Sequence, residues 1–175
     1  MFDVFMKITA AKGGELKGIS SNTKHAEWID VLSYSHEMEA PVDLHSGTTS
    51  GKVQFRPIKI RKKIDTSTPL IYKALTDNDN LKEVLFEFWT AGSTGGIQKY
   101  LDIKLTNGRI VSSAMVMNPS LEGGGSTVKG AAQVGLVTQV IELTYETMSW
   151  KYQGFKTDGS TFGGPKEAEV KWGEM

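Results

Sequence analysis

Residues 52–76 read KVQFRPIKIRKKIDTSTPLIYKALT, and the fold turns on how that stretch is parsed. Val53 and Phe55 are apolar at odd positions, whereas Ile58, Ile60 and Ile64 are apolar at even ones. A strand keeps its core face through such a change only by absorbing an extra residue. The pattern therefore predicts a bulge at Arg56-Pro57. Lys59, Arg61 and Lys63 then share the face opposite the isoleucines. Ser67-Thr68-Pro69 reads as a helix start, with Thr68 as N-cap and Pro69 at the first helical position, where its missing N–H costs nothing. Leu70, Ile71, Ala74 and Leu75 follow at helical spacing and make one apolar face. One short helix over about 65–78 is predicted, the only one in the chain, packed against sheets.

The flanking sequence is β-patterned. Phe2, Val4, Met6 and Ile8 alternate with Asp3 and Lys7, so the chain opens on a strand. Residues 10–24 read as a loop. From His25 to Met38 the pattern is extended again, with Trp28, Leu32, Tyr34 and Met38 on one face and Ile29 and Val31 on the other. A strand apolar on both faces is buried on both or meets a neighbouring subunit. Residues 39–51, EAPVDLHSGTTSG, form a long loop of the kind that usually has a function.

Beyond the helix, Val84, Phe86 and Phe88 define a strand with Leu85 and Trp89 on its other face. Leu101, Ile103 and Leu105 alternate up to Asn107-Gly108, a pair that predicts a two-residue hairpin turn. The return strand runs to Met117, and residues 118–131, NPSLEGGGSTVKGA, read as a second long loop. Val137, Ile141, Leu143 and Tyr145 are in one phase and Met148, Trp150 and Tyr152 in the other, so a second bulge is predicted near Glu146-Thr147. Phe162, Val170 and Trp172 are candidate anchors for the tail. The sum is a mainly β, single-domain chain over residues 1–175. Its strands make an antiparallel β-barrel or a tight two-sheet sandwich with one short α-helix.

Composition narrows the function. Twenty basic and twenty acidic residues cancel, so nothing at whole-chain level invites nucleic acid or an anionic membrane. The chain has no cysteine, which excludes disulfides, thiolate catalysis and cysteine-bound metal. No apolar run reaches membrane-spanning length, and MFDVFMKITA lacks the pattern of a cleaved leader. The expectation is a chain made in the cytoplasm and exported, if at all, without a cleaved signal.

His25, His36 and His45 stand beside Glu27, Glu37 and Asp43, but their spacing matches no compact metal motif. The glycine-rich stretches lack G-K-[ST] and do not lead from a strand into a helix. No G-x-S-x-G elbow is present, and Glu142 with Glu146 has no context that would split their pKa values. No catalytic, metal-binding or cofactor-binding residue is assigned. The basic strand Lys59, Arg61, Lys63 suits docking onto an acidic patch of another copy. Apolar surfaces of this extent usually mark interfaces, so the residues themselves point to a β-barrel that assembles with itself.

Several segments, in order, resemble the Hcp family of bacterial type VI secretion systems. Met6-Lys7-Ile8 before a glycine-rich turn is similar to the family's start. Residues 25–35, HAEWIDVLSYS, with Trp28, Asp30 and Tyr34, resemble its second strand. Ile64-Asp65-Thr66-Ser67-Thr68-Pro69 resembles the strand-to-helix junction. Glu142-Leu143-Thr144-Tyr145 with Met148, Trp150 and Tyr152 resembles the long late strand, and Gly163-Gly164, Lys166, Ala168 and Trp172 the tail.

The resemblance implies a phage tail-tube-like fold, hexameric rings, and rings stacked into a tube inside a contractile sheath and baseplate. It implies a VgrG-type spike at the tip, small effector cargo in the lumen, and neither nucleic acid nor stable membrane insertion. It assigns subunit and ring contacts to the 39–51 loop, hence to Pro41, Val42, Asp43, Leu44 and His45. Charge changes there should spare rings and block tubes, whereas loss of Trp28 or Tyr34 should weaken the barrel. The long 118–131 loop departs from commoner members, so exact ring-to-ring contacts do not carry over. A phage-like tail-tube protein, a monomeric ligand-binding β-barrel and a β-barrel hydrolase are the alternatives.

Overall fold

The structure, a computed structural model, describes residues 2–92, 96–117, 137–156 and 158–172. Among these residues eleven strands and one α-helix follow in order. They are β1 (Phe2–Ala10), β2 (Gly14–Glu15), β3 (Ile29–Ser35), β4 (Met38–Glu39), β5 (Gln54–Phe55), β6 (Ile58–Lys63), α1 (Ser67–Thr76), β7 (Leu81–Ala91), β8 (Ile97–Met117), β9 (Val137–Thr144), β10 (Thr147–Tyr152) and β11 (Lys166–Lys171). A 3-10 turn covers Thr23–His25.

All strand pairings are antiparallel, and they run β8-β7-β1-β3-β6-β9 and back to β8, which closes a barrel. Strands β10 and β11 extend from β8 as a side leaf. Closure removes most of the unpaired sheet edge that an open sheet would offer to water or to other chains.

Inward residues alternate with outward ones and fill the interior. Met6 and Ile8, Ile29, Ile58 and Ile60, Val84 and Phe86, Leu105, Ile141 and Leu143, and Met148 are all buried, with Ile71 and Ala74 of α1 against them. Each large side chain removed from water contributes about 1.5–3 kcal/mol. Leu70, expected on the core face of the helix, is 40% exposed.

The hairpin predicted at Asn107-Gly108 does not form. Strand β8 runs straight through that pair for 21 residues. Its first half pairs with β7 and β10, and its second half with β9. Asn107 holds φ at +50°, and a Cβ on Gly108 would collide with the Thr144 carbonyl oxygen. The pair thus supplies left-handed backbone and close approach at a corner of the barrel. Register through that corner is unbroken, with Arg109 opposite Thr144 and Thr106 opposite Thr147. The stretch from Val137 to Tyr152 is therefore β9 and β10 in line, interrupted at Tyr145-Glu146, where β11 replaces β6 as the outer neighbour.

Other expectations are corrected. The chain does not bulge at Arg56-Pro57. It breaks there, because β5 belongs to a separate ribbon with β4 while β6 enters the barrel. Residues 25–38 are not one strand: His25 lies in the 3-10 turn, Trp28 precedes β3 and Met38 belongs to β4. Ile29 and Val31 face the core. A register shift between Val31 and Ser33 then turns Leu32 outward and Tyr34 inward. The 10–24 loop contains β2 and the start of the 3-10 turn, and its first bend is held by Asp79, which accepts from Lys12 N and Gly13 N. The predicted loop over 118–131 lies outside the described residues.

The helix start also differs. Helix α1 begins at Ser67, and Thr66 in the cap position makes no side-chain capping bond. Asp65 serves instead: its Oδ1 accepts from Ser67 N at 2.9 Å and from Ser67 Oγ at 2.6 Å. Thr68 lies inside the helix, and its Oγ1 turns back to accept from Asp65 N at 3.2 Å. Pro69 is the third residue of the first turn, still within the span where an N–H has no helical partner.

Lys62, between the outward-facing Arg61 and Lys63, shares the phase of Ile58 and Ile60 and is 0% exposed. Its ammonium donates to Lys63 O (2.6 Å), Asp65 Oδ1 (2.7 Å), Thr68 Oγ1 (3.1 Å) and Gln139 Oε1 (3.3 Å). Gln139 in turn donates to Ser113 Oγ. Burial pulls the Lys62 pKa below its ordinary value, opposed by Asp65. A buried ammonium survives only when so surrounded, and the cost of breaking this set fixes β6, the helix start, β9 and β8 to one another.

Candidate functional site

The 39–51 segment forms the tip and sides of an ordered arm. Strands β4 and β5 pair at its base, with Met38 opposite Phe55. Val42 and Thr49 form a bridge further out. At the tip Asp43 N donates to Thr48 O, Gly47 N to Asp43 O, and Asp43 Oδ1 accepts from His45 N. Backbone donors to its oxygens hold the Asp43 carboxyl below the usual carboxylate pKa. Along the arm, Val42 and Leu44 are exposed, Leu44 by 95%, while Pro41 at its shoulder is half-buried. An apolar side chain this exposed has nothing in its own subunit to rest on.

The outward face of β6 carries Lys59, Arg61 and Lys63. Lys59 lies 3.5 Å from Glu142 on β9, and the neighbouring outward positions on β3 are Ser33 and Ser35. Several stretches of strand are paired on one side only among the described residues, β11 among them, and two of them lie on β3 and β8. Residues 32–35 of β3 pair with β6 and not with β1, and residues 109–117 of β8 pair with β9 and not with β7. Leu32, Val111, Met115 and Met117, all exposed, decorate these two free edges. The arm, the basic stripe and the edges thus lie on elements that the barrel positions but does not cover.

The three histidines are not brought together. His25 is buried against Phe5 (ring centroids 4.3 Å apart) and its Nε2 lies 2.8 Å from Glu87 Oε2. Burial would raise the Glu87 carboxyl, but hydrogen bonds from His25, Lys99 and Trp89 hold it below its usual value. His36 Nε2 is 2.6 Å from the Tyr145 hydroxyl, and His45 sits at the arm tip. Among the described residues no group of three or more His, Asp or Glu side chains could hold a metal ion.

A cleft of about 610 Å³ opens on the side leaf, lined by Glu87, Lys99, Asp102, Lys104, Trp150 and Glu167 among others. Its charges are matched across strands, Lys99 to Glu87 at 3.1 Å, Lys104 to Glu83 at 2.6 Å and Lys151 to Glu167 at 2.8 Å. Matched charges of this kind stabilise a sheet face and leave no pair with divided acid and base roles.

Trp28 packs edge-on to His25. Asp30 is half-buried on β3 opposite Phe5. Tyr34 meets Phe86 and Phe88 edge-on, and burial raises its hydroxyl pKa. Trp150 packs against the core, whereas Tyr152 is half-exposed at the end of β10. Tyr145 is buried at the corner, its hydroxyl pushed up to about 12 by burial. Of the tail anchors, Val170 packs on the core and Trp172 stacks on Phe55, but Phe162 is largely exposed.

Comparisons with known proteins agree with this geometry. Two proteins of Pseudomonas aeruginosa are similar: Protein hcp1, 30% identical over 98% of this chain and 93% of its own length, and the Major exported protein, 24% identical over 89% and 92%. Among solved structures, a crystal structure of an Hcp protein superposes with a TM-score of 0.79 at 20% identity over the whole of both chains. The Hcp1 protein of an E. coli pathovar superposes with a TM-score of 0.76 at 24% identity, over 97% of this chain and 98% of that one. Likeness at such identities speaks to the fold alone. The model of the family described as "Type VI secretion system effector, Hcp" matches residues 5–152, which span the barrel, the arm and the helix. With that match over most of its length, this chain belongs to the Hcp family of type VI secretion proteins.

Proposed function

We propose that the chain is the subunit of a type VI inner tube, closing into hexameric rings that stack. The observation that carries this reading is the arm, whose most apolar tip residue, Leu44, is exposed while the barrel needs nothing from it. The two free edges support the ring. They differ in sequence and lie on different strands, so a head-to-tail contact joins one to the other in the next copy, and such contacts close when the rotation allows. The arm then makes contacts between copies and between stacked rings through Pro41, Val42, Asp43, Leu44 and His45. Lys59, Arg61 and Lys63 offer positive charge to an acidic surface of a second copy or of cargo.

No catalyst is required. Ring contacts must outlast stacking contacts, so that the tube forms on a template and later comes apart. Sheath contraction supplies the work, with a VgrG-type spike ahead of the tube and small effectors in its lumen. The subunit waits in the bacterial cytoplasm and leaves through the machine. Light scattering after gel filtration, with negative-stain images of the peak, tests the reading. Rings of six subunits are expected. A strict monomer at millimolar concentration would move the weight to a ligand-binding barrel.

A further inference from the structure

The root of the arm meets the rest of the molecule through an aromatic cluster drawn from four separate places in the chain. His36 leaves β3 on the outgoing side, and Phe55 closes β5 on the returning side. Both meet Tyr145, at ring-centroid distances of 5.6 Å and 6.2 Å. Trp172, directly after β11, stacks on Phe55 at 5.4 Å and stands edge-on to Tyr145 at 5.4 Å. Its own backbone is fixed by Trp172 N donating to Glu146 O at 2.7 Å. Tyr145 sits where β9 gives way to β10, so it belongs to the barrel corner and is rigidly held. Phe55 is buried, although its strand belongs to the exposed ribbon.

We propose that His36, Phe55, Tyr145 and Trp172 form a clamp that sets the direction in which the arm leaves the barrel, and through it the geometry of contact between copies. A two-stranded ribbon is only marginally stable alone and has no means of choosing a direction. Two flanking aromatic contacts on Phe55 supply one, because stacked and edge-on rings fix relative orientation as well as distance. The residues are positioning residues: in a ring they need touch no neighbour. They also make the end of β11, remote in sequence, part of the arm's support. The contact between copies rests on the tube-subunit reading, whereas the aiming of the arm does not.

The test uses Trp172→Ala, Trp172→Phe and Tyr145→Phe in the full chain, read by three measurements. Limited trypsin digestion follows cleavage at the exposed arm residue Lys52 against cleavage in the barrel. Thermal unfolding follows the barrel, and negative-stain imaging follows assembly. Trp172→Ala should raise cleavage at Lys52 roughly tenfold, since it removes two aromatic contacts, with barrel cleavage unchanged and tubes lost. Trp172→Phe should restore both. Tyr145→Phe keeps the ring contacts, so it should show a smaller rise in cleavage.

Equal acceleration of arm and barrel cleavage would overturn the clamp, because Trp172 would then serve general stability. Selective loosening of the arm with tubes unchanged would overturn it too. If the wild type never assembles but Trp172→Ala still loosens the arm selectively, the aiming stands and the tube-subunit reading falls.

Discussion

The barrel and the arm are both antiparallel β-structure, and they differ in what their side chains rest on. Every barrel strand has a face against the interior, where residues such as Ile60, Phe86 and Ile141 are fully buried. The arm has two short paired segments, one further bridge and no interior of its own. The barrel is therefore stable by burial, and its residues answer to the fold. The arm is stable by its root and its turn, and its outer residues answer to something outside the subunit. Substitutions should separate the two cleanly.

The largest effect should come from Lys62→Met in the barrel wall. It leaves Asp65 and Gln139 facing an apolar side chain, and loss of one partner of such a pair costs about 3–5 kcal/mol. Urea denaturation would measure it, and a loss below about 0.5 kcal/mol, the range of ordinary surface changes, would mean that the ammonium is not the linchpin of the junction. Next is Gly108→Ala, where the added methyl meets the Thr144 carbonyl at the corner. Forced repacking of this kind costs about 1–3 kcal/mol. An unchanged midpoint would show that the corner relaxes freely.

The clamp gives a pH effect of smaller size. Burial lowers the His36 pKa below its ordinary 6.5. A depressed base contributes stability that is present above that ordinary value and is lost as pH falls through the folded-state pKa. Acidification below pH 6.5 should therefore raise the emission change of Trp172 and the digestion of the arm before the barrel unfolds. A His36→Gln variant should lack that dependence. The smallest effect on stability belongs to Leu44→Asp, expected within about 0.5 kcal/mol of wild type because the side chain touches nothing. The same change should abolish stacked tubes in the microscope and leave rings intact. Loss of rings would place Leu44 at the ring contact instead.

How much of this was legible in the sequence follows the same division. Period-two alternation located β1, β7 and β8, because one-sided burial writes itself into the pattern. The interruptions were visible as phase changes at residues 55–58 and 145–148, though not their geometry. A phase change is the same in sequence whether the strand bulges, breaks to leave the sheet or turns a corner. Asn107-Gly108 misled for the same reason: positive φ serves a corner as well as a hairpin, and the choice depends on whether β9 returns to pair beyond it.

The burial of Lys62 was not foreseen, because charge is ordinarily exposed. The one available signal was its phase, shared with Ile58 and Ile60. The 39–51 segment stood out by length, and the structure builds it into the arm. Its clamp was invisible, because His36, Phe55, Tyr145 and Trp172 meet only through tertiary packing.

Hydrogen exchange, compared between dilute subunits and assembled tubes, should separate the arm from the barrel. Slowed exchange on assembly is expected at residues 41–50 and along the free edges, 32–35 and 109–117, with the interior of the barrel unchanged. Protection gained elsewhere, with the arm exchanging as fast in tubes as in single subunits, would contradict that expectation.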